Sequence, residues 1–140
     1  MEYTNIKLEK VNSVATIRLN RPDAMNAISP DLLTEFAHAL DDVRDDLKLK
    51  ALVVRGEGRA FSAGADLVYF ETVFAQADLL PPYLQQFNDC LFQLEALPVP
   101  VIAVVHGFAL AGGLELMLAS HGTCNTITAL DQQIMQLPED

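Results

Sequence analysis

Pro98-Val-Pro-Val-Ile-Ala-Val-Val-His-Gly-Phe-Ala-Leu-Ala-Gly-Gly-Leu-Glu-Leu116 is the stretch that decides how this chain folds. Its first half is an apolar, β-branched run, which reads as a buried strand. Its second half is rich in alanine and glycine and runs into a helical pattern over 112–119. The chain repeats this arrangement earlier: Ala51-Leu-Val-Val54 is a short buried strand, and Ala60-Phe-Ser-Ala-Gly-Ala-Asp-Leu67 leads into a helical pattern over 66–77. Each segment is therefore a tight strand-to-helix turn with bare backbone N–H groups. Two such turns facing each other can grip one oxygen that gains negative charge during a reaction.

Working outward, residues 5–10 and 14–19 alternate as strands around Asn12-Ser13, which suits a hairpin. Asn20-Arg-Pro-Asp-Ala-Met-Asn26 is a loop. Ser29 reads as a helix N-cap, followed by Pro30 and Asp31. Leu33, Phe36, Leu40, Val43 and Leu47 recur at three and four residues, so 30–48 is an amphipathic helix. Pro81-Pro82 breaks the 66–77 helix from another at 83–94. The order β-β-α-β-α-α-β-α, with helices alternating with apolar strands, is that of an α/β protein. After Gly122 there is no further glycine and the periodicity is poor. The expected organisation is a core over 1–120 and an atypical tail over 121–140.

The 140 residues suffice for one domain with a core, and a composition of 51% hydrophobic residues is that of a globular chain. A net charge of −10 argues against nucleic acid or an anionic membrane as partner. It leaves room for an anionic ligand bound by local N–H groups. Cys90 and Cys124 form no CxxC pair, no secretory leader is expected at Met-Glu-Tyr-Thr-Asn, and no apolar run is long enough to span a bilayer, so the expected setting is the cytoplasm.

Several segments invite a chemical reading. Gly56-Glu-Gly-Arg-Ala-Phe61 starts like a dinucleotide fingerprint but has Phe61 at the third glycine. Ala60-Phe-Ser-Ala-Gly64 is near a nucleophile elbow, which would make Ser62 a nucleophile, with His106 or His121 as base and Asp66 or Asp131 as orienter. The loop before Ser62 is too long for an elbow, and a small hydroxyl bonded to its own backbone is the favoured reading. Asp66 sits just inside the first turn of its helix and complements the dipole. His106, at a strand end, reads as a structural hydrogen-bonding residue. No second histidine or cysteine stands at metal spacing, so no metal is expected. Glu115 is set in an otherwise apolar helix start, where a carboxylate needs a partner or a raised pKa, the environment of a general acid or base. The alternative is a capping carboxylate.

Taken together, Asn20-Arg-Pro-Asp-Ala-Met-Asn-Ala27, Gly58-Arg-Ala-Phe-Ser-Ala-Gly-Ala-Asp-Leu67 and Pro100-Val-Ile-Ala-Val-Val-His-Gly-Phe-Ala-Leu-Ala-Gly-Gly-Leu-Glu115 resemble the enoyl-CoA hydratase/isomerase (crotonase) superfamily over residues 3 to 119. Three collinear motifs make the resemblance specific. It implies a crotonase-like (ClpP/crotonase) spiral of ββα units, here incomplete, and an acyl-CoA thioester as substrate, with no separate cofactor. By motif position the N–H groups of Ala65 and Gly112 would polarise the thioester carbonyl. Ala24, Met25, Ala63, Gly64, Ala65, Asp66, Leu67 and Gly112 would bind the CoA substrate. Glu115 matches the first of two catalytic glutamates and would orient and activate water for addition to a 2-enoyl-CoA.

The chain departs from the family pattern beyond residue 120. The Pro-Gly-x-Gly-Gly stretch near the second glutamate is absent from the sequence, and Glu139, in Gln-Leu-Pro-Glu, only faintly matches that segment. The chain is about half the length the family implies, which makes a truncated product one expectation and puts the family's trimer-type homo-oligomer in question. Alternatives within the resemblance are an isomerase, hydrolase or decarboxylase acting on acyl-CoA, or a non-catalytic fragment.

Overall fold

The computed structural model describes residues 1–125, with the main chain alone at Asn125. Five strands form one sheet in sequence order: β1 (Ile6–Val11), β2 (Val14–Leu19), β3 (Ala51–Gly56), β4 (Val101–Val105) and β5 (Gly122–Asn125). β1 and β2 are antiparallel, and every later neighbour is parallel. The hairpin between them turns at Asn12 and Ser13, with φ of 50° and 66°, the doubly left-handed geometry that matches strand twist. Each parallel step needs a crossover. These are supplied by α1 (Pro30–Asp45), by α2 (Leu67–Ala75) with α3 (Leu80–Glu95), and by α4 (Gly112–Ala119). Among the described residues, no helix is long and apolar enough to cross a membrane.

α1 starts where its sequence says. The Ser29 hydroxyl accepts from the Leu32 N–H at 3.2 Å, and Pro30 occupies the first turn. Its inner face, Leu32, Leu33, Phe36, Leu40 and Val43, packs on Ala15, Ile17 and Leu19 of β2 and on Leu52 and Val54 of β3 within one core cluster. α3 adds Phe87, Cys90 and Leu94. The Cys90 thiol is pushed up to about 12 by burial, with a smaller push from Asp89.

The structure departs from the sequence reading in ways that have a physical cause. α1 ends at Asp45 instead of 48, and Leu47 is 94% exposed. Asp46 accounts for this, since its carboxylate accepts from the Lys48 N–H and from Lys10 Nζ, offering the backbone a turn in place of another helical bond. α3 starts at Leu80 and takes Pro81 and Pro82 into its first turn, where their missing N–H groups cost no bond. Asp66 is the N-cap of α2, one position outside the helix, accepting from the N–H groups of Val68 and Tyr69. β5 forms where no strand was expected, because four residues pairing with β4 carry no alternation of their own. β3 and β4 are also buried on one face only: Leu52, Val54, Val101 and Ala103 point inward, while Val53 and Val104 are half covered and Ile102 is 38% exposed.

Candidate functional site

The loop 20–29 is held down by Asn26, which is fully buried. Its carbonyl accepts from the Arg21 N–H at 2.9 Å, and its amide donates to the carbonyls of Glu57 and Ala60, both at 2.8 Å. This fixes the loop against the exit of β3. Ile28 then pairs with the second turn like a short parallel strand. Its N–H donates to Gly64 O at 2.7 Å and its carbonyl accepts from the Asp66 N–H at 3.4 Å. Parallel pairing of this kind turns the N–H of Ala65, between those two partners, away from Ile28. Ser62 bridges Ala109 in the same way, through Ser62 N–H to Phe108 O and Leu110 N–H to Ser62 O. The two alanine–glycine turns are therefore stitched side by side.

At the second turn, Ala111 has φ 46° and ψ −117°, a region that favours glycine. Strain of this kind on a non-glycine residue marks functional sites more often than chance. It presents Gly112 as the first residue of α4. Among the described residues neither the Ala65 N–H nor the Gly112 N–H donates a hydrogen bond. Both residues line one cavity of about 170 Å³, together with Glu115, Ile28, Phe70, Tyr83, Leu84 and Phe87. A second, mostly apolar cavity of about 350 Å³ shares Ala65 and is lined by Ala24, Met25, Ala63, Asp66 and Leu67. Gly64 lines neither; it is the contact by which the turns meet.

Glu115 is not buried as its apolar sequence neighbours suggested. α4 turns Gly113 and Leu116 inward, while Leu114, Glu115 and Leu118 lie on its open face. Among the described residues the Glu115 carboxylate has no hydrogen bond or ion pair, so the capping alternative has no donor. It remains a free carboxylate over an aromatic-walled cavity. Tyr83 in that wall donates to the Ile28 carbonyl at 2.8 Å. Burial, reinforced by Asp66, Tyr69 and Glu115, pushes its phenol up to about 12.

The remaining candidates have structural partners. Asp66 is buried, caps α2, and pairs with Arg21 at 2.9 Å; Arg21 also donates to Ala27 O at 2.6 Å. The pair lines a more polar hollow of about 410 Å³, together with Asn5, Ser29 and Asp31. The Ser62 hydroxyl is buried, donates to Asn26 O and accepts from the Gly64 N–H. His106 Nε2 bonds Gly58 O, and His121 accepts from the Val101 N–H while its other nitrogen faces Glu95 O. The serine-nucleophile reading therefore has no serine–histidine contact among the described residues. Asp131 and Glu139 lie outside the described residues. Asn26, Ile28 and Tyr83 were missed by sequence reasoning. The one available signal was a tyrosine, an apolar ring with a polar tip, at a buried helix start.

Two N–H groups without acceptors among the described residues, on residues that line one small cavity with a carboxylate, are chemically able to polarise a carbonyl. The chain belongs to the enoyl-CoA hydratase/isomerase family, whose profile matches residues 9–139. It is 42% identical over 120 residues to a crotonyl-CoA hydratase of Syntrophomonas wolfei, covering 84% of this chain and 45% of that protein. It is 36% identical to a short-chain-enoyl-CoA hydratase of Clostridium acetobutylicum, over 85% of this chain and 45% of that one. Its fold superposes on a crystal structure of an enoyl-CoA hydratase/isomerase from Xanthobacter autotrophicus with a TM-score of 0.84 and 39% identity, over 89% of this chain and 46% of the other. The Bacillus anthracis enoyl-CoA hydratase structure gives 0.82 and 31%, over 87% and 47%. The chain thus spans about half the length of the relatives it matches.

Proposed function

We propose that the two cavities take an acyl-CoA thioester and that the site supports addition of water to the double bond of a 2-enoyl-CoA. The observation that carries this reading is that the Ala65 and Gly112 N–H groups lack acceptors among the described residues and belong to residues lining the same cavity as Glu115. As water adds to the β-carbon, charge moves onto the thioester oxygen. Preorganised donors aimed at that oxygen stabilise the enolate, and losing one such donor typically costs about 10²–10³ in rate. Glu115 orients the water, takes its proton as the C–O bond forms at the β-carbon, and delivers it to the α-carbon as the enolate collapses. The apolar cavity at Ala24, Met25, Ala63 and Leu67 holds the pantetheine arm.

This chemistry is acid–base and electrostatic, so the reading calls for no cofactor beyond the CoA of the substrate. Two free thiols, Cys90 and Cys124, fit a cytoplasmic setting. Trimer-type self-association is part of the reading for the whole-length family. The test is titration with crotonyl-CoA followed by a hydration assay on the same sample. Binding with loss of the enoyl absorbance is expected; absence of binding overturns the reading.

One observation favours a second reaction. Among the described residues lining the 170 Å³ cavity, Glu115 is the one carboxylate. A single base that carries a proton from one carbon to another suffices for double-bond migration. Product analysis with a 3-enoyl-CoA separates the two: a 2-enoyl product identifies isomerisation, a 3-hydroxyacyl product hydration.

A further inference from the structure

We infer that Tyr83 is a positioning residue for the oxygen grip, because its hydroxyl anchors Ile28, whose own N–H holds the Gly64 carbonyl of the peptide that carries the Ala65 N–H. The inference rests on the reading of Ala65 and Gly112 as donors to a thioester oxygen. Ile28 is the common support of both donors. Its backbone brackets Ala65 through Gly64 and Asp66. Its Cδ1, like Phe87 Cζ, stands 3.3 Å from where a Cβ on Gly112 would lie. Of the two donors to the Ile28 carbonyl, the Asp66 N–H is long at 3.4 Å and the Tyr83 hydroxyl short at 2.8 Å. The stronger anchor is therefore the tyrosine, which comes from α3, 55 residues away in sequence.

The rest of the tyrosine is held as well. Its ring packs against Tyr69 at 5.2 Å and edge-on against Phe70 at 5.7 Å. With its phenol pushed up to about 12, the group stays a donor throughout the neutral range. α3 thereby fixes the Ile28 backbone on which the 62–66 turn is paired. Without the hydroxyl, the Ile28 carbonyl keeps only the long Asp66 bond, so Ile28 can shift and carry with it the Gly64–Ala65 peptide that its N–H holds.

The experiment uses the full chain and sorboyl-CoA, a conjugated dienoyl thioester whose absorption moves to longer wavelength when its carbonyl is polarised. Wild type is expected to bind it with a red shift. Tyr83→Phe, which keeps the ring, is expected at saturating ligand to show a red shift at most half that of wild type. Tyr69→Phe, the ring neighbour, is expected to keep the whole shift. A Tyr83→Phe shift equal to wild type overturns the role of Tyr83, as does weaker binding with an unaltered shift. Absence of a shift in wild type overturns the oxygen-grip reading itself and this inference with it. If the phenylalanine variant is unfolded by circular dichroism, 3-fluorotyrosine at position 83 replaces it. That residue retains the ring and alters the donor, so a displaced band supports the role and an identical band overturns it.

Discussion

Gly64 and Gly112 approach so closely that a Cβ built on Gly64 would fall 3.1 Å from the Gly112 nitrogen. The same atom would lie 2.8 Å from Leu110 O and 3.0 Å from Ala111 Cβ, at a φ of +98°. The two donor turns meet through this missing side chain.

Gly64→Ala is expected to destabilise the fold by about 1–3 kcal/mol, since an L side chain is strained at that φ and the displaced atoms are backbone. Equilibrium urea unfolding measures it. Gly122→Ala is the matched control, because a Cβ there meets nothing within 4 Å; its change is expected to stay within about 0.5 kcal/mol. Equal effects at both positions would mean that the turns are not in the contact described.

Glu35 makes stability depend on pH. Its buried carboxylate accepts from Thr4, Asn5 and the Ile6 N–H, with distances from 2.7 to 3.2 Å. Burial alone would raise its pKa; the hydrogen bonds from Asn5 and Thr4 outweigh that and hold it below the usual glutamate value. A lowered folded-state pKa gives stability that is present above the unfolded value and is lost as pH falls through the folded one. The urea midpoint of wild type is therefore expected to drop on acidification below the ordinary glutamate range. In Glu35→Gln the acid limb should be shallower, on a baseline lower by about 1–3 kcal/mol. Parallel acid limbs in the two proteins would remove Glu35 from this role.

Glu115→Gln tests the chemistry at the open carboxylate. A positioned general acid or base contributes about 10²–10⁴-fold, so kcat for crotonyl-CoA hydration should fall by that factor with little change in affinity. The side chain lies on the exposed face of α4, so the melting temperature should not move. Steady-state kinetics and a thermal melt read both quantities. An unaltered kcat would contradict the assignment.

What was legible beforehand follows from which forces leave a periodic trace. α1 announced itself through Ser29, Pro30 and the spacing of Leu33, Phe36, Leu40 and Val43, because cap and core face are both local patterns. The two glycine-bearing turns were legible because close approach of backbones restricts residue type. The Ile28 bridge, the Asn26 clamp and the Tyr83 hydroxyl were not. These are isolated hydrogen-bonding contacts spanning 31 to 55 residues, with no spacing to betray them. Glu115 was judged by its sequence neighbours, yet burial on a short helix depends on which element covers each face. β5 was missed because its order comes from pairing with β4.

The central claim is that the N–H groups of Ala65 and Gly112 share one thioester oxygen. The direct measurement is the infrared carbonyl band of crotonyl-CoA labelled with carbon-13 at the thioester carbon, free and bound to this chain. Two donors on the oxygen weaken the C=O bond, so the bound band is expected at lower frequency than in water. A bound ligand whose carbonyl band stays at its solution frequency would contradict the account.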